Sequence, residues 1–168
     1  LKMVVLKSFK IKHLSKNDIF EICKLKNSFW KFGIKSNLRW FKENVKSDDL
    51  NIILKVNNVL VGYTLLRKRV YYIKNTKKKY FYLDTIIVSK KFINKGYGKI
   101  LLQFDNFLIN KFNFLGFLLC EKKNIEFYKK FGWTTLSSRN FSIQNKDTRN
   151  LFAMIYNAPK IKFRKFYL

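Results

Sequence analysis

The sequence is poor in residues that bind metals or form disulfides. Its 168 residues include one proline, one histidine and two cysteines. Cys23 and Cys120 are far apart and form no zinc-ligand spacing or disulfide framework. His13 has no histidine or cysteine near it. We therefore expect no metal, and two buried thiols in a reducing compartment.

Long apolar segments are also missing. The longest wholly apolar runs, such as residues 114–120, fall far short of the ~20 residues that cross a bilayer. The first residues lack the apolar core and small-residue cleavage site of a signal peptide. The sequence therefore predicts a soluble, cytoplasmic protein without a membrane span.

Acidic residues are scarce. Ten Asp and Glu oppose 36 Lys and Arg, which gives a formal net charge of +26. Two explanations stay open: a genome rich in A and T, which favours Lys, Asn, Ile, Phe and Tyr codons, or attraction to an anionic partner. The lysines are spread along the chain, which disfavours a dedicated nucleic-acid surface. A basic nucleic-acid- or ribosome-binding module stays the alternative function, because residues 160–168 alternate cations with aromatics as single-strand binders do. An edge strand or a solvated tail is the other interpretation of these residues.

Length and periodicity predict one domain over residues 1–168. The expected order is strand, two helices, three strands, helix, strand, helix and late strands. That order implies an α/β (α+β) fold with a central mixed, mostly antiparallel sheet of six to seven strands and about four flanking helices.

Local signals predict several boundaries. Ser15 with Asp18 three residues later indicates a capping box at a helix start. A second helix is expected to begin at Ser36 or Asn37, and residues 74–79 are expected to form a polar loop. A later helix has an apolar stripe at helical spacing: Tyr97, Ile100, Leu101, Phe104, Phe107 and Leu108.

Two of the six glycines flank Tyr97, between a predicted strand and this helix. Gly96 and Gly98 can adopt φ > 0 and allow close approach to a ligand. The first amides of a helix have no internal partner and favour an anion. A pyrophosphate would fit here, and an ordinary tight turn is the alternative. Leu101 replaces the third glycine of a Rossmann fingerprint, and Ile100 replaces the Ser/Thr of a P-loop.

Two segments together resemble the acetyl-coenzyme A binding core of the GNAT superfamily of N-acetyltransferases. In "LDTIIVSKKFINKGYGKILL" the glycine pair matches the family's glycine motif. In "NIEFYKKFGW" the match is Asn124, then Phe127-Tyr128, then Gly132-Trp133. The resemblance covers roughly residues 52–134. Ile93 departs from it, because the family has Arg or Gln there.

The resemblance implies acetyl-coenzyme A as co-substrate. It also implies that the strand around residues 80–88 parts from the next strand to admit the pantetheine arm. The residues implied to bind the coenzyme are Ile86, Ile87, Val88, Ile93, Asn94, Lys95, Gly96, Tyr97, Gly98, Lys99, Asn124 and Tyr128.

The resemblance also implies two catalytic residues. Asp84 stands where many relatives carry the glutamate that removes the proton of the amine, and it is the only charge between Tyr80 and Val88. A buried carboxylate can instead be a lysine's partner. Tyr128 stands where relatives place the general acid for the thiolate, and a core aromatic is the alternative.

The acceptor is implied to be the primary amine of a small molecule that contacts Phe29, Trp30, Trp40 and Asp84. The layout is also similar to the aminoglycoside 2'-N-acetyltransferase and NodA-like branch. No acid lies between residues 27 and 41, so a neutral or anionic acceptor such as an amino sugar fits better than a polycationic antibiotic. An acyl carrier protein donor, a fold that binds coenzyme A without catalysis, and a monomer or a homodimer stay open.

Overall fold

A computed structural model describes residues 2–144, 148, 150–158 and 163–168. It confirms the fold class and the predicted order of elements. The helices are α1 (Lys16–Asn27), α2 (Ile34–Asn44), α3 (Tyr97–Lys111) and α4 (Ile125–Lys129). The strands are β1 (Val4–Phe9), β2 (Leu50–Val56), β3 (Val59–Ile73), β4 (Thr76–Val88), β5 (Leu115–Cys120), β6 (Thr134–Leu136), β7 (Phe141–Ile143), β8 (Phe152–Tyr156) and β9 (Arg164–Tyr167). No helix in the described residues is long and apolar enough to cross a membrane.

The chain divides into two compact units. Unit 1 comprises Leu1–Arg67 and Thr85–Leu102, and unit 2 comprises Lys68–Asp84 and Gln103–Leu168. The elements β3, β4 and α3 contribute residues to both. Seven of the nine described strands follow the orders β1-β2-β3 and β3-β4-β5-β8-β6, and β7 and β9 are additional.

Unit 1 is built from antiparallel pairing of β1 with β2 and of β2 with β3. The predicted capping box at the start of α1 is present, with Ser15 and Asp18 bonded reciprocally. A hydrogen bond from Lys55 Nζ at 2.9 Å, followed by the bonds to Ser15, lowers the pKa of Asp18. The inner face of α1 buries Ile22 and Cys23 in the core of this unit.

Helix α2 begins at Ile34, two residues before the predicted start. Gly33 is its N-cap with φ of 88°, and its carbonyl accepts from the backbone N–H of Asn37 at 3.1 Å and from the Asn37 side chain at 3.0 Å. The second bond comes from a side chain, and the apolar pattern of a helix does not predict such bonds. It stabilises the first turn of α2, which therefore starts earlier than expected.

Unit 2 combines parallel pairing of β4 with β5 and antiparallel pairing of β8 with β5 and β6. Strand β9, in a segment whose sequence allows an edge strand or a solvated tail, pairs antiparallel with β3 and parallel with β7. It lies in the basic segment 160–168, whose first three residues are outside the described residues. Phe166 of β9 stacks on Phe117 at 4.1 Å between ring centroids, so this basic segment packs an aromatic side chain into the unit.

Two local expectations were wrong. The polar loop at 74–79 is only a turn at Lys74 and Asn75, because the following lysines occupy exposed positions of β4. In the apolar stripe of α3, Leu101 and Leu108 are buried, but Ile100 is 36% and Phe107 55% exposed. The buried face of α3 instead includes two polar side chains, Asp105 and Asn106.

Candidate active site

The glycine turn in unit 1 is anchored at its entry and reverses before α3. Ser89 donates its backbone N–H to the Val61 carbonyl at 2.8 Å. Asn94 has φ of 62° and Gly96 has φ of 82°, so two left-handed residues redirect the chain. A Cβ on Gly96 would meet nothing within 4 Å. The position therefore needs glycine for its backbone conformation and not for space.

The first turn of α3 presents free backbone donors. Its first hydrogen bond runs from the Ile100 N–H to the Gly96 carbonyl at 3.2 Å. Among the described residues, no protein group accepts from the amides of residues 96–99. These N–H groups lie at the positive end of the helix dipole, which attracts anions.

Aromatic and cationic side chains surround this turn. The Phe92 and Tyr97 rings lie 5.9 Å apart between centroids, and Lys95 Nζ lies 5.3 Å from the Phe92 ring. Lys90, Lys95 and Lys99 are exposed. The turn thus combines free amides with mobile positive charge, the arrangement that suits a phosphate group.

In unit 2 the parallel ladder between β4 and β5 is short. It comprises Tyr80 with Leu115, Phe81 with Gly116, and Tyr82 with Phe117. Both strands continue beyond the last of these pairs, yet the described residues contain no further pair between them. The parallel pairing of β4 with β5 in unit 2 therefore ends at Tyr82, and the parting that the resemblance implies stays a prediction. Asp84 follows two residues later, half-buried and in interaction with another residue.

Tyr128 lies on the inner face of α4 and is 7% exposed. Burial, followed by the nearby Cys120 and Asp105, raises the pKa of its phenol well above the ordinary value. Both neighbours act through negative charge that opposes a phenolate. Its ring lies edge-on to the Trp133 ring, with centroids 6.2 Å apart. The phenol therefore stays protonated, as a proton donor must.

Asn124 immediately precedes α4 and is exposed. Its side chain makes no capping bond to the helix, although its backbone N–H donates to the Glu121 carbonyl at 3.0 Å. Asn124 lies four positions before Tyr128, about one helical turn, so the two lie on the same side of α4. The Asn124 amide can therefore bond a ligand that approaches this side.

Asn106 in α3 is a polar residue of this region that sequence patterns did not single out. Its Nδ2 donates to the Phe131 carbonyl and its Oδ1 accepts from Trp133 Nε1, each at 2.9 Å. The available signal was Asp105-Asn106, a polar pair inside a helix of otherwise apolar periodicity.

The α1–α2 loop in unit 1 carries exposed aromatics. Phe29 is 36% exposed and Trp30 41%. Lys90 Nζ lies 5.7 Å from the Phe29 ring, so this loop adjoins the entry of the glycine turn within unit 1. Trp40 is more enclosed, because it packs on the core and Lys26 Nζ lies 3.7 Å from its ring centroid.

Comparison with known proteins decides the family. The model of the Acetyltransferase (GNAT) family matches residues 17–133. The chain belongs to the GNAT family. None of the curated protein sequences matches it significantly.

Solved structures of GNAT-like proteins share the fold. Escherichia coli ElaA is 15% identical with a TM-score of 0.67, and the match covers 91% of this chain and 99% of that one. The PaiA N-acetyltransferase of Thermoplasma acidophilum, in complex with coenzyme A, is 18% identical with a TM-score of 0.56, over 90% and 98% of the chains. Arabidopsis thaliana Naa50, in complex with the bisubstrate analogue CoA-Ac-MVNAL, is 21% identical with a TM-score of 0.63, over 91% and 97%.

The predicted site residues of this GNAT chain fall into two groups. Unit 1 holds the glycine turn with Ile93, Asn94, Lys95, Gly96, Tyr97, Gly98 and Lys99, the strand residues Ile86, Ile87 and Val88, and the aromatics Phe29, Trp30 and Trp40. Unit 2 holds Asp84, Asn124 and Tyr128. The described residues contain no group of three or more His, Cys, Asp or Glu side chains that could hold a metal.

Unit 2 of this GNAT chain also contains a cavity of about 750 Å³ beside α4. Its wall includes Glu126, Lys129, Ser137, Ser138 and Phe141. Lys129 and Glu126 are paired at 2.9 Å. The cavity is large enough for a small molecule and offers it both hydroxyl groups and an apolar surface.

Proposed function

We propose that the protein is a single-domain N-acetyltransferase that transfers the acetyl group of acetyl-coenzyme A to the primary amine of a small molecule. One observation carries the proposal: the backbone amides of residues 96–99 are free, at a turn where Gly96 has a left-handed conformation. Membership of the GNAT family supports it. So do the coenzyme A in the PaiA complex and the coenzyme A-linked analogue in the Naa50 complex.

In this proposal the glycine turn binds the pyrophosphate. The amides of residues 96–99 donate to its oxygens, and Lys95 and Lys99 supply positive charge. Ile93 and Asn94 shape the outer side of the turn. The backbone of Ile86, Ile87 and Val88 pairs with the pantetheine arm, and the side chain of Asn124 bonds one of its amide groups.

The proposed chemistry is direct attack. The neutral amine nitrogen forms a bond to the thioester carbonyl carbon, and the carbon–sulfur bond then breaks. Asp84 accepts the proton that the nitrogen loses, directly or through water. Tyr128 donates its phenolic proton to the departing thiolate, so the products are an amide and coenzyme A. A backbone N–H near Ile87 or Val88 stabilises the oxyanion that forms between these steps.

The proposed acceptor is a neutral or anionic amine, such as an amino sugar. Phe29 and Trp30 offer exposed apolar surface to it, with Trp40 behind them in the same unit. The cations Lys31, Lys35 and Lys90 and the absence of any acid in residues 27–41 disfavour a polycationic aminoglycoside. Cytoplasmic location is part of the proposal, and the two free, buried cysteines support it.

The test combines binding with turnover. Coenzyme A is expected to raise the melting temperature of the protein, whereas RNA at the same ionic strength is not. A panel of amines with acetyl-coenzyme A, followed by release of free thiol, is expected to identify the acceptor class, and acyl carrier protein thioesters are the comparison donor. A salt-sensitive shift with RNA and none with coenzyme A would replace the enzyme with a basic binding module. A coenzyme A shift without turnover on any amine would indicate a binding protein.

A further inference from the structure

The side-chain amide of Asn106 is bonded at both of its ends inside unit 2. Its Nδ2 donates to the Phe131 carbonyl at 2.9 Å, and its Oδ1 accepts from Trp133 Nε1 at 2.9 Å. Asn106 is 8% exposed and Trp133 1%. A buried amide that satisfies two partners fixes their relative positions, because losing either bond leaves a buried polar group unsatisfied.

The two residues that Asn106 holds are themselves bonded to Tyr128. The backbone N–H groups of Phe131 and Trp133 both donate to the Tyr128 carbonyl, at 3.0 and 3.3 Å. The indole of Trp133 also contacts the Tyr128 ring edge-on. A continuous chain of bonds therefore runs from the Asn106 side chain, through the turn after α4, to the backbone and ring of Tyr128.

Helix α4 depends on such outside support. It has only five residues, and helices of that length are not stable by themselves. On the other side of the turn, Trp133 is wedged against β5: a Cβ on Gly116 would lie 2.9 Å from Trp133 Cη2. The two hydrogen bonds of Asn106 fix the position of the indole within this contact. The position of the turn follows from that of the indole.

We propose that Asn106 is a positioning residue that holds the Tyr128 phenol in place for proton transfer to the thiolate. The inference rests on the proposed acid role of Tyr128. Small displacements of a proton donor cost large factors in rate, on the order of 100-fold for 1 Å. Asn106 therefore acts on turnover through Tyr128 and not on coenzyme binding.

A double-mutant cycle tests this. Asn106→Leu keeps the branching of the side chain and removes both bonds, Tyr128→Phe removes the acid, and the third variant combines them. Asn106→Leu is expected to lower kcat by about 10- to 100-fold, with KM for acetyl-coenzyme A changed by less than about 2-fold. The double variant is expected to be no slower than Tyr128→Phe, because a residue that acts through Tyr128 has no effect without the phenol.

The matched control lies one helical turn further along α3. Asn110 Nδ2 donates to the Tyr156 hydroxyl at 2.9 Å, and Tyr156 stacks on Trp133 with ring centroids 5.5 Å apart. Asn110→Leu therefore removes an α3 side-chain bond in the same region but leaves both Asn106 bonds to the turn in place. It is expected to keep kcat. Trp133→Phe removes the indole donor together with part of a buried ring. It is expected to lower kcat at least as much as Asn106→Leu, which keeps the test open should the leucine variant not fold.

The outcomes separate the two proposals. If the double variant loses kcat by the product of the two single losses, the positioning role is overturned while the acid role stands. The same holds if Asn110→Leu lowers kcat as much as Asn106→Leu does. A fully active Tyr128→Phe would remove the acid role first, and the positioning role with it. A slow Asn106→Leu, a slow Tyr128→Phe and an equally slow double variant support both.

Discussion

Ile100 donates its amide N–H to the Gly96 carbonyl at 3.2 Å, and this is the first hydrogen bond of α3. Residues 96–99, which precede Ile100, leave their backbone N–H groups free for a ligand or for water. Gly96 with φ of 82° directs those groups outward from the turn. The proposed grip on the coenzyme pyrophosphate follows from this geometry and from the lysines around it.

Gly96→Ala separates backbone conformation from bulk. The new Cβ meets no atom within 4 Å, so the cost comes from the left-handed backbone, about 1–2 kcal/mol. We expect a melting temperature lower by a few degrees and coenzyme A affinity about 10-fold weaker, because the chain relaxes toward negative φ and turns the amides away.

Gly33→Ala is the matched control for this change. Gly33 has φ of 88° and equally open surroundings in the same unit, so it should lose similar stability and keep coenzyme A affinity. Titration calorimetry and thermal melting measure both quantities. Equal affinity in the two variants would show that the Gly96 conformation does not serve the ligand.

Features that the sequence predicts well are local ones. The capping box of α1, the glycine pair and the spacing from Asn124 to Tyr128 are set by residues within a few positions of one another. Asn106 could not be predicted in this way, because its partner Phe131 lies 25 residues further on. Nothing in a helix pattern indicates that a polar side chain will point inward to meet a specific carbonyl.

The same limit applies to the end of the chain. The sequence around Phe166 allows either an edge strand or a solvated tail, and the pairing of β9 with β3 and β7, which are distant in sequence, decides between them. Composition also could not separate the exposed Phe107 from its buried neighbour Leu108. Whether such residues pair in a sheet or are buried depends on contacts with residues that are distant in sequence.

Tyr128→Phe is expected to lower kcat by about 100-fold or more and to leave coenzyme A binding nearly unchanged, since it removes only the acid. The phenol pKa is raised, so this proton is retained above pH 10, where an unperturbed tyrosine ionises. The wild-type profile of kcat against pH should therefore show no alkaline loss due to Tyr128 below about pH 10. A variant with full activity would leave Tyr128 a packing residue.

Asp84→Asn removes the proposed base and keeps the side-chain size. At neutral pH we expect kcat/KM for the amine to fall by about 100-fold or more. The loss should shrink at high pH, because the acceptor amine then loses its proton to solvent. Steady-state rates between pH 6 and 10 measure this, with thermal melting as the control for folding. A rate that matches wild type across that range excludes Asp84 from the mechanism.

Cys23 and Cys120 are expected to resist thiol reagents in the native protein. Burial is the main cause that raises the pKa of each thiol to about 11, so at pH 8 only about one in a thousand is a thiolate. Since the unfolded thiols ionise first, the stability from these groups is present below about pH 9 and is lost as the pH rises further. Alkylation followed by mass spectrometry should show slow labelling that unfolding accelerates. Rapid labelling of either native thiol would contradict the burial described here.

The most direct test of the pyrophosphate grip changes one amide. Tyr97 is the first residue of α3, a position where proline fits a helix but has no N–H to donate. Tyr97→Ala loses the same ring and keeps the N–H. Titration calorimetry with coenzyme A should therefore give a Kd about 10-fold or more higher for Tyr97→Pro than for Tyr97→Ala, since a bond to a charged group is lost, while the two variants bind pantetheine alike. Equal Kd values for coenzyme A in the two variants would contradict the account.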